Sequence, residues 1–186
     1  EIGYEKPNNV YGFSKVMMDN ITYEYLKKDL EISIVGLKYF NVYGPKEFFK
    51  NKTASMIVQF GHQILKGQTP KLFEGSDKIL RDFIYIEDVV QANIKACNPK
   101  KSGIYNVGTG KTRSFEDIVN ILQKELEIDN GKEYIPNPFI GQYQFFTQAN
   151  IDSAKEYLFF EPKFSLEDGI KAYLSEIKRL FKEEVK

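Results

Sequence analysis

Helical and strand periods alternate along this chain. Asn8-Asn9 precedes Met17, Met18, Ile21, Tyr25 and Leu26 at helical spacing, which predicts a helix over 9–28 with an asparagine as N-cap. Residues 32–40 form a β-branched and apolar run and predict a buried strand, which Asn41-Val42-Tyr43-Gly44-Pro45 should end as a turn. Residues 46–52 predict a loop rich in lysine and phenylalanine. Thr53 is placed to cap a helix that carries Met56, Ile57, Phe60 and Ile64 on one side and ends near Gly67. Residues 71–73 are too short to assign. Residues 81–86 read as a strand, 87–97 as a helix and 103–108 as a strand. Ser114-Phe115-Glu116-Asp117 opens a helix that runs to about Leu126. A strand is expected over 132–136, a loop over 137–141 and a last helix over 166–183, with Ile170, Tyr173, Leu174, Ile177 and Leu180 as its apolar face. Alternation of this kind predicts an α/β fold.

Composition narrows the function classes. Across 186 residues, lysine plus arginine number 26 and aspartate plus glutamate 26. A neutral chain lacks the broad basic field of a sequence-independent nucleic-acid binder. No apolar run approaches the roughly 20 residues that span a bilayer, and the first residues do not resemble a signal peptide. One cysteine, Cys97, excludes an intramolecular disulfide and a multi-cysteine metal site. One histidine, His62, argues against a histidine-rich centre or a serine-histidine triad. These features predict a soluble cytoplasmic protein with no metal. With Glu1 leading almost directly into a helix, the chain is expected to be the later part of a longer protein.

Tyr11-Gly12-Phe13-Ser14-Lys15 sets a phenol and an ammonium at i and i+4 on one helix face. A phenol near pKa 10 is a poor base at neutral pH, and a neighbouring cation lowers that value. Such a pair can exchange a proton with a substrate hydroxyl while hydride moves to a nicotinamide. The spacing alone is equally that of a surface tyrosine and lysine. Three further segments follow in order: Lys38-Tyr39-Phe40-Asn41-Val42-Tyr43-Gly44-Pro45, Arg81-Asp82-Phe83-Ile84-Tyr85-Ile86-Glu87-Asp88-Val89, and Gly103-Ile104-Tyr105-Asn106-Val107-Gly108-Thr109-Gly110. Together they resemble the extended short-chain dehydrogenase/reductases. The implied fold is the later part of a Rossmann-type domain, residues 1–45, followed by a mainly substrate-binding α/β domain, residues 46–186, with segments returning to the Rossmann domain.

Lys71-Leu72-Phe73-Glu74-Gly75-Ser76 and Tyr143-Gln144-Phe145-Phe146-Thr147-Gln148-Ala149 narrow the resemblance to the ADP-heptose 6-epimerases of the nucleotide-sugar epimerase family. That resemblance implies inversion at carbon 6″ of an ADP-heptose by transient oxidation and re-reduction with bound NADP or NAD, for the lipopolysaccharide core. It implies two bases, Tyr11 and Lys50, with Lys46 and Lys52 as neighbouring competitors for the second. Lys15 and Val42 would contact the cofactor. Asn41, Lys52, Gln59, Phe73, Glu74, Gly75, Ser76, Arg81 and Tyr143 would contact the substrate, with the planar fork of Arg81 on the diphosphate. A homo-oligomer, by resemblance a pentamer, is implied, with no nucleic-acid or membrane partner.

The glycine-rich dinucleotide loop of that family does not occur in this sequence. Gly108-Thr109-Gly110 lacks the lysine-serine ending of a Walker loop and reads as a turn in the substrate region. The phenylalanine pairs Phe145-Phe146 and Phe159-Phe160 read as core. Two other readings compete: a different nucleotide-sugar epimerase or dehydratase, which needs no loop lysine, and a non-catalytic nucleotide-sugar-binding fragment.

Overall fold

The computed structural model describes residues 6–7, 9–138 and 144–184. Helix α1 (Val10–Leu26) starts at Asn9, whose side chain accepts from the Gly12 amide at 2.8 Å. Strand β1 (Val35–Tyr39) follows, but the chain does not turn after it. Asn41–Tyr43, expected as a turn, is a second strand, β2. A 3-10 turn (Phe48–Thr53) leads into α2 (Met56–Leu65), which begins after Ser55 rather than Thr53. Next come β3 (Lys71–Phe73), β4 (Leu80–Arg81), β5 (Phe83–Tyr85), α3 (Ile86–Ala96), β6 (Gly103–Val107) and β7 (Arg113–Ser114). Helix α4 (Phe115–Leu126), β8 (Glu133–Ile135), α5 (Asp152–Leu158) and α6 (Leu166–Glu184) complete the order. The start of α4 is a full capping box. Ser114 accepts from the Asp117 amide at 3.0 Å, and Asp117 accepts from the Ser114 amide at 2.9 Å.

The strands pair as β1 with β6, β2 with β5 and β3 with β8, all parallel, and β4 with β7 antiparallel. The β1–β2 segment changes neighbours at Phe40. The Phe40 amide donates to Val107, and the Asn41 amide donates to Asp82, so no ladder donor is lost at the switch. The run expected as one strand over 81–86 is split for the matching reason. Arg81 pairs with Arg113 in β7, whereas Phe83 pairs with Asn41 in β2. Asp82 stands between them and gives up its place in a ladder.

Period-two alternation makes β5 the wall between two cores. Phe83 and Tyr85 face a large cluster built on α2, α4 and α6. Ile84 faces a smaller one with Val89, Ala92, Tyr105, Val107, Ala154, Leu158 and Phe160. Tyr43 of β2 lies on the large-core side, its ring 5.5 Å from that of Tyr85. Burial pushes the Tyr43 phenol far above its ordinary pKa. Gly169 of α6 makes room for it, since a Cβ there would overlap the Tyr43 hydroxyl. Among the phenylalanine pairs expected in the core, only Phe160 is buried. Phe159 takes a left-handed conformation that closes α5 and is exposed, as are Phe145 and Phe146.

Helix α1 has no buried residue. Met17, Met18, Ile21 and Tyr25 are exposed, and Asp19 ties the helix to Lys38 of β1 by a 2.6 Å ion pair.

The Asp82 side chain is 0% exposed. One of its carboxylate oxygens accepts from the Thr109 amide at 2.8 Å and the Thr109 hydroxyl at 2.6 Å. The other accepts from the Gly110 amide at 2.8 Å and the Ala149 amide at 3.1 Å. Gly108 admits this packing, because a Cβ there would stand 2.6 Å from Ala149 and 2.8 Å from the carboxylate. A buried amide robbed of its acceptor costs about 1–3 kcal/mol. Asp82→Asn, which sets an NH₂ against at least one of these donors, should therefore lower the stability of the purified chain by about 2–4 kcal/mol in urea unfolding. A change below about 0.5 kcal/mol would show that the three segments do not depend on the carboxylate.

Candidate active site

Tyr11 and Lys15 both lie in the first two turns of α1. The Lys15 Nζ stands 5.2 Å from the centroid of the Tyr11 ring and 3.8 Å from the Met18 sulfur. The two side chains therefore share one face, as the i, i+4 spacing requires, with the ammonium over the ring rather than at the phenol oxygen. Tyr11 is 72% exposed. The lack of cover on this face follows from the uncovered side of α1.

Asn41 and Val42 are on β2, in register with Phe83 and Ile84. Asn41 is exposed and Val42 half-buried, so alternation turns the amide outward and the isopropyl group toward the smaller core. Lys50 is exposed on the 3-10 turn between β2 and α2. Its backbone is held at both ends: its N–H donates to Glu47 at 2.9 Å, and its carbonyl accepts from the Thr53 hydroxyl at 2.7 Å. Gln59, half-buried on α2, donates to the Ala54 carbonyl at 2.6 Å and so faces this same loop. The Lys52 side chain and Tyr143 lie outside the described residues.

Phe73, Glu74, Gly75 and Ser76 form the end of β3 and the turn after it. Phe73 pairs with Ile135, and the Glu74 amide donates to the Ile135 carbonyl at 2.9 Å. Gly75 has φ +76°, a left-handed conformation that glycine adopts without strain, and the Lys78 amide returns to its carbonyl at 2.9 Å. Phe73 is half-buried, Glu74 exposed and Ser76 buried, so only part of the tetrapeptide faces outward.

Arg81 is 8% exposed. Its guanidinium donates to the Leu80 carbonyl at 2.9 Å and to the Gln144 carbonyl. Gln144 adjoins the Tyr143 position, so the arginine lies against the segment expected to close the substrate region.

The Gly108-Thr109-Gly110 turn has the composition of an anion cradle but not its chemistry. Its Thr109 and Gly110 amides already donate to Asp82, as does the Thr109 hydroxyl. This turn is therefore a structural joint and offers no phosphate site. Tyr11 and Lys15 suit the ribose-nicotinamide end of a dinucleotide, with a donor-acceptor phenol and a cation on one open face. Among the described residues no group of His, Cys, Asp and Glu could hold a metal ion, and no helix is long and apolar enough to cross a membrane.

A cleft of about 450 Å³ opens between Thr109–Arg113 and the 161–168 segment. No residue expected in the site lines it, and its Arg113 is engaged by Glu167 at 2.6 Å and Asp117 at 3.2 Å.

Two buried acids carry no signal as functional residues in the sequence. Asp82 is visible only as part of a motif, and Glu47, in the loop rich in lysine and phenylalanine, is 4% exposed.

Residues 1–108 match the NAD dependent epimerase/dehydratase family. Among solved structures, the Helicobacter pylori ADP-L-glycero-D-manno-heptose-6-epimerase is 45% identical, with a TM-score of 0.82, and the match covers 96% of this chain and 54% of that one. A Thermotoga maritima UDP-glucose 4-epimerase with UDP-glucose is 26% identical, with a TM-score of 0.81, over 91% of this chain and 53% of that one. A Bacillus cereus UDP-glucuronic acid 4-epimerase in complex with UDP-glucuronic acid and NAD is 29% identical, with a TM-score of 0.77, over 91% and 52%. The chain thus spans about half the length of these relatives. With the order of its tyrosine-lysine helix, parallel strands and motif loops matched by a family and by solved folds alike, this chain belongs to the NAD dependent epimerase/dehydratase family of extended short-chain dehydrogenase/reductases.

Proposed function

We propose that this chain is the part of an ADP-heptose 6-epimerase that carries both proton-transfer residues and most of the substrate contacts. One observation carries the reading. Identity to the Helicobacter pylori heptose epimerase is 45%, against 26% and 29% to the UDP-sugar 4-epimerases, over a similar share of the chain. A shared fold alone would not separate them. The loop lysine and the K-L-F-E-G-S string lie in the segments where such enzymes would differ. Assays of ADP-heptose against UDP-glucose and UDP-glucuronate test this choice, and preference for a UDP-sugar would favour the 4-epimerase reading.

Lys15 and Val42 would help hold the dinucleotide, which we assign as NADP with NAD as the competitor and which would supply the hydride chemistry at carbon 6″ when bound. The chain's own residues handle protons and orientation. Tyr11, as phenolate, would take the hydroxyl proton in one substrate orientation, and Lys50, as ammonium, would give a proton to the carbonyl oxygen in the other, with proton exchange to solvent resetting the pair. Lys15 steadies the developing phenolate by its charge. Lys50 serves the second orientation. Inverting a carbinol with one hydride donor requires the oxygen to occupy two positions, and two bases meet that need without moving either. Arg81 would set its planar guanidinium against the diphosphate, and Phe73 would offer a ring edge to the adenine.

In a protein of the relatives' full length, Tyr11→Phe and Lys50→Met should each lower turnover about 10²–10⁴-fold with the cofactor still bound. Steady-state kinetics with a bound-nucleotide assay check this. Near-normal turnover in Lys50→Met would move the second base to Lys46 or Lys52.

Arg81→Lys keeps the charge and loses the fork. Its expected effect is a higher KM for the nucleotide sugar with cofactor content unchanged. Unaltered affinity for ADP would leave Arg81 as a strand-end clamp on the Leu80 and Gln144 carbonyls.

A dinucleotide diphosphate is normally cradled by free amides of a glycine-rich turn at a helix N-terminus. This sequence has no such turn after a strand, and the Thr109 and Gly110 amides are spent on Asp82. The 186-residue chain by itself should therefore bind NADP weakly and show no epimerase activity. Tight, stoichiometric binding in calorimetry would mean that the cofactor site lies elsewhere in the chain.

A further inference from the structure

We infer that Glu47 is a positioning residue for the loop lysine: its buried carboxylate closes the loop that presents Lys50 and fixes where that ammonium stands. The inference rests on the reading of Lys50 as a base. One Glu47 oxygen accepts from the Ser55 amide at 2.7 Å. The other accepts from the Ser55 hydroxyl at 2.6 Å and lies 3.5 Å from the Gly44 amide. Glu47 thus joins the two ends of the segment that contains Lys50, the end of β2 and the start of α2.

Ser55 shows how strong the demand is. It occupies the N-cap of α2, where a serine hydroxyl normally accepts from the helix's own amides. It makes no such cap bond, and its hydroxyl is turned back to Glu47. The main chain of Glu47 acts as well, because its carbonyl receives the Lys50 amide at 2.9 Å. Residue 47 therefore holds Lys50 directly through its backbone and holds the loop's far end through its side chain.

The last helix supports this clamp from behind. The Tyr173 hydroxyl of α6 is buried without a hydrogen-bond partner, and burial, then the Glu47 charge, push that phenol far above its ordinary pKa. Glu176, one turn farther along α6, is held below the usual carboxylate range first by Arg179, which donates to it at 2.9 Å, and then by the Lys46 backbone. Lys46 itself has φ +72°, a conformation a lysine adopts only under constraint. A solvated lysine loop needs none of these anchors. A buried carboxylate is tolerated only when it is paired and hydrogen-bonded. A loop whose sole task was to link β2 to α2 could be built without one. A general base, by contrast, must stand within hydrogen-bond reach of its proton, and a misplacement of about 1 Å can cost 10²-fold in rate.

The test uses a protein of the relatives' full length and the variants Glu47→Gln, Ser55→Ala and Lys50→Met, alone and combined. Glu47→Gln should lower kcat by about 10-fold to 10²-fold while KM for the nucleotide sugar and cofactor content stay within about twofold. Added to Lys50→Met it should cost nothing further, because two residues that act through one proton transfer are not additive. Ser55→Ala, which removes one donor and leaves the carboxylate in place, should show the same pattern at smaller size, and it keeps the test open if Glu47→Gln does not fold. Amide hydrogen exchange gives a readout independent of turnover: residues 44–55 should exchange faster in Glu47→Gln. Unchanged exchange there, or an equal loss of kcat on top of a crippled Lys50→Met, would overturn the positioning role and leave Lys50 as a base. Near-normal turnover in Lys50→Met would overturn both readings.

Discussion

Four hydrogen bonds onto one buried carboxylate decide how the strands of this protein meet. Asp82 ends the antiparallel pairing of Arg81 and begins the parallel pairing of Phe83. Its oxygens bind the loop after β6 and the segment before α5. Its carbonyl receives the Asn41 amide, which starts β2. One residue therefore sets the register of β2 and β5 and the position of the Gly-Thr-Gly turn. A burial this complete is tolerable only because every donor around the carboxylate is directed at it. The same device recurs at Asp88, also buried, whose oxygens take the Lys163 amide at 2.9 Å and the Phe164 amide at 3.1 Å and so aim the chain into α6. Buried acids in this fold act as joints between segments that no ladder connects.

The parts of the fold that were legible in the sequence are those whose signal is local. Asn9 before α1, Ser114-x-x-Asp117 before α4 and the i, i+3, i+4 stripe of α6 carry their own instructions. The misread parts depend on distant partners. Asn41-Val42-Tyr43 looks like a turn because asparagine and Gly-Pro flank it, yet three residues suffice for a strand when β5 supplies the ladder. Helix α5 is short, and its end is set by Phe159 in a left-handed conformation that favours glycine or asparagine, so no stop signal marks it. Phe145 and Phe146 resemble core residues by type, but hydrophobic residues inside is a rule that runs one way only.

The candidate site divides along the same line. Tyr11, Lys15 and Arg81 could be named from motifs, and their surroundings match the motif's demands in part: a shared helix face for the first two, and a strand end beside Gln144 for the third. The chemistry of Lys50 is not legible from its neighbours, because Phe49 and Asn51 say nothing of what anchors the loop. That information resides in Glu47, Ser55 and helix α6. Nothing in the sequence around Glu47 marks it as buried, and its hydrogen bonds to Ser55 hold it inside.

The two proposed bases are mounted in opposite ways. Tyr11 belongs to a regular helix, so its position relative to Lys15 is fixed by helical geometry and by the Asn9 cap, with the helix tied to β1 through Asp19 and Lys38. Lys50 belongs to an irregular turn, where no repeating hydrogen-bond pattern fixes a side chain. A turn can reach the precision of a helix only if its ends are clamped and its interior is backed by a core. Here the clamp is the Glu47–Ser55 contact and the backing is α6, whose Tyr173 and Ile177 are fully buried against α2 and the sheet. The C-terminal helix is thus more than a cover for the large core. It carries the rigidity of that core to the loop, and it explains why a helix far along the chain bears on a lysine near its start.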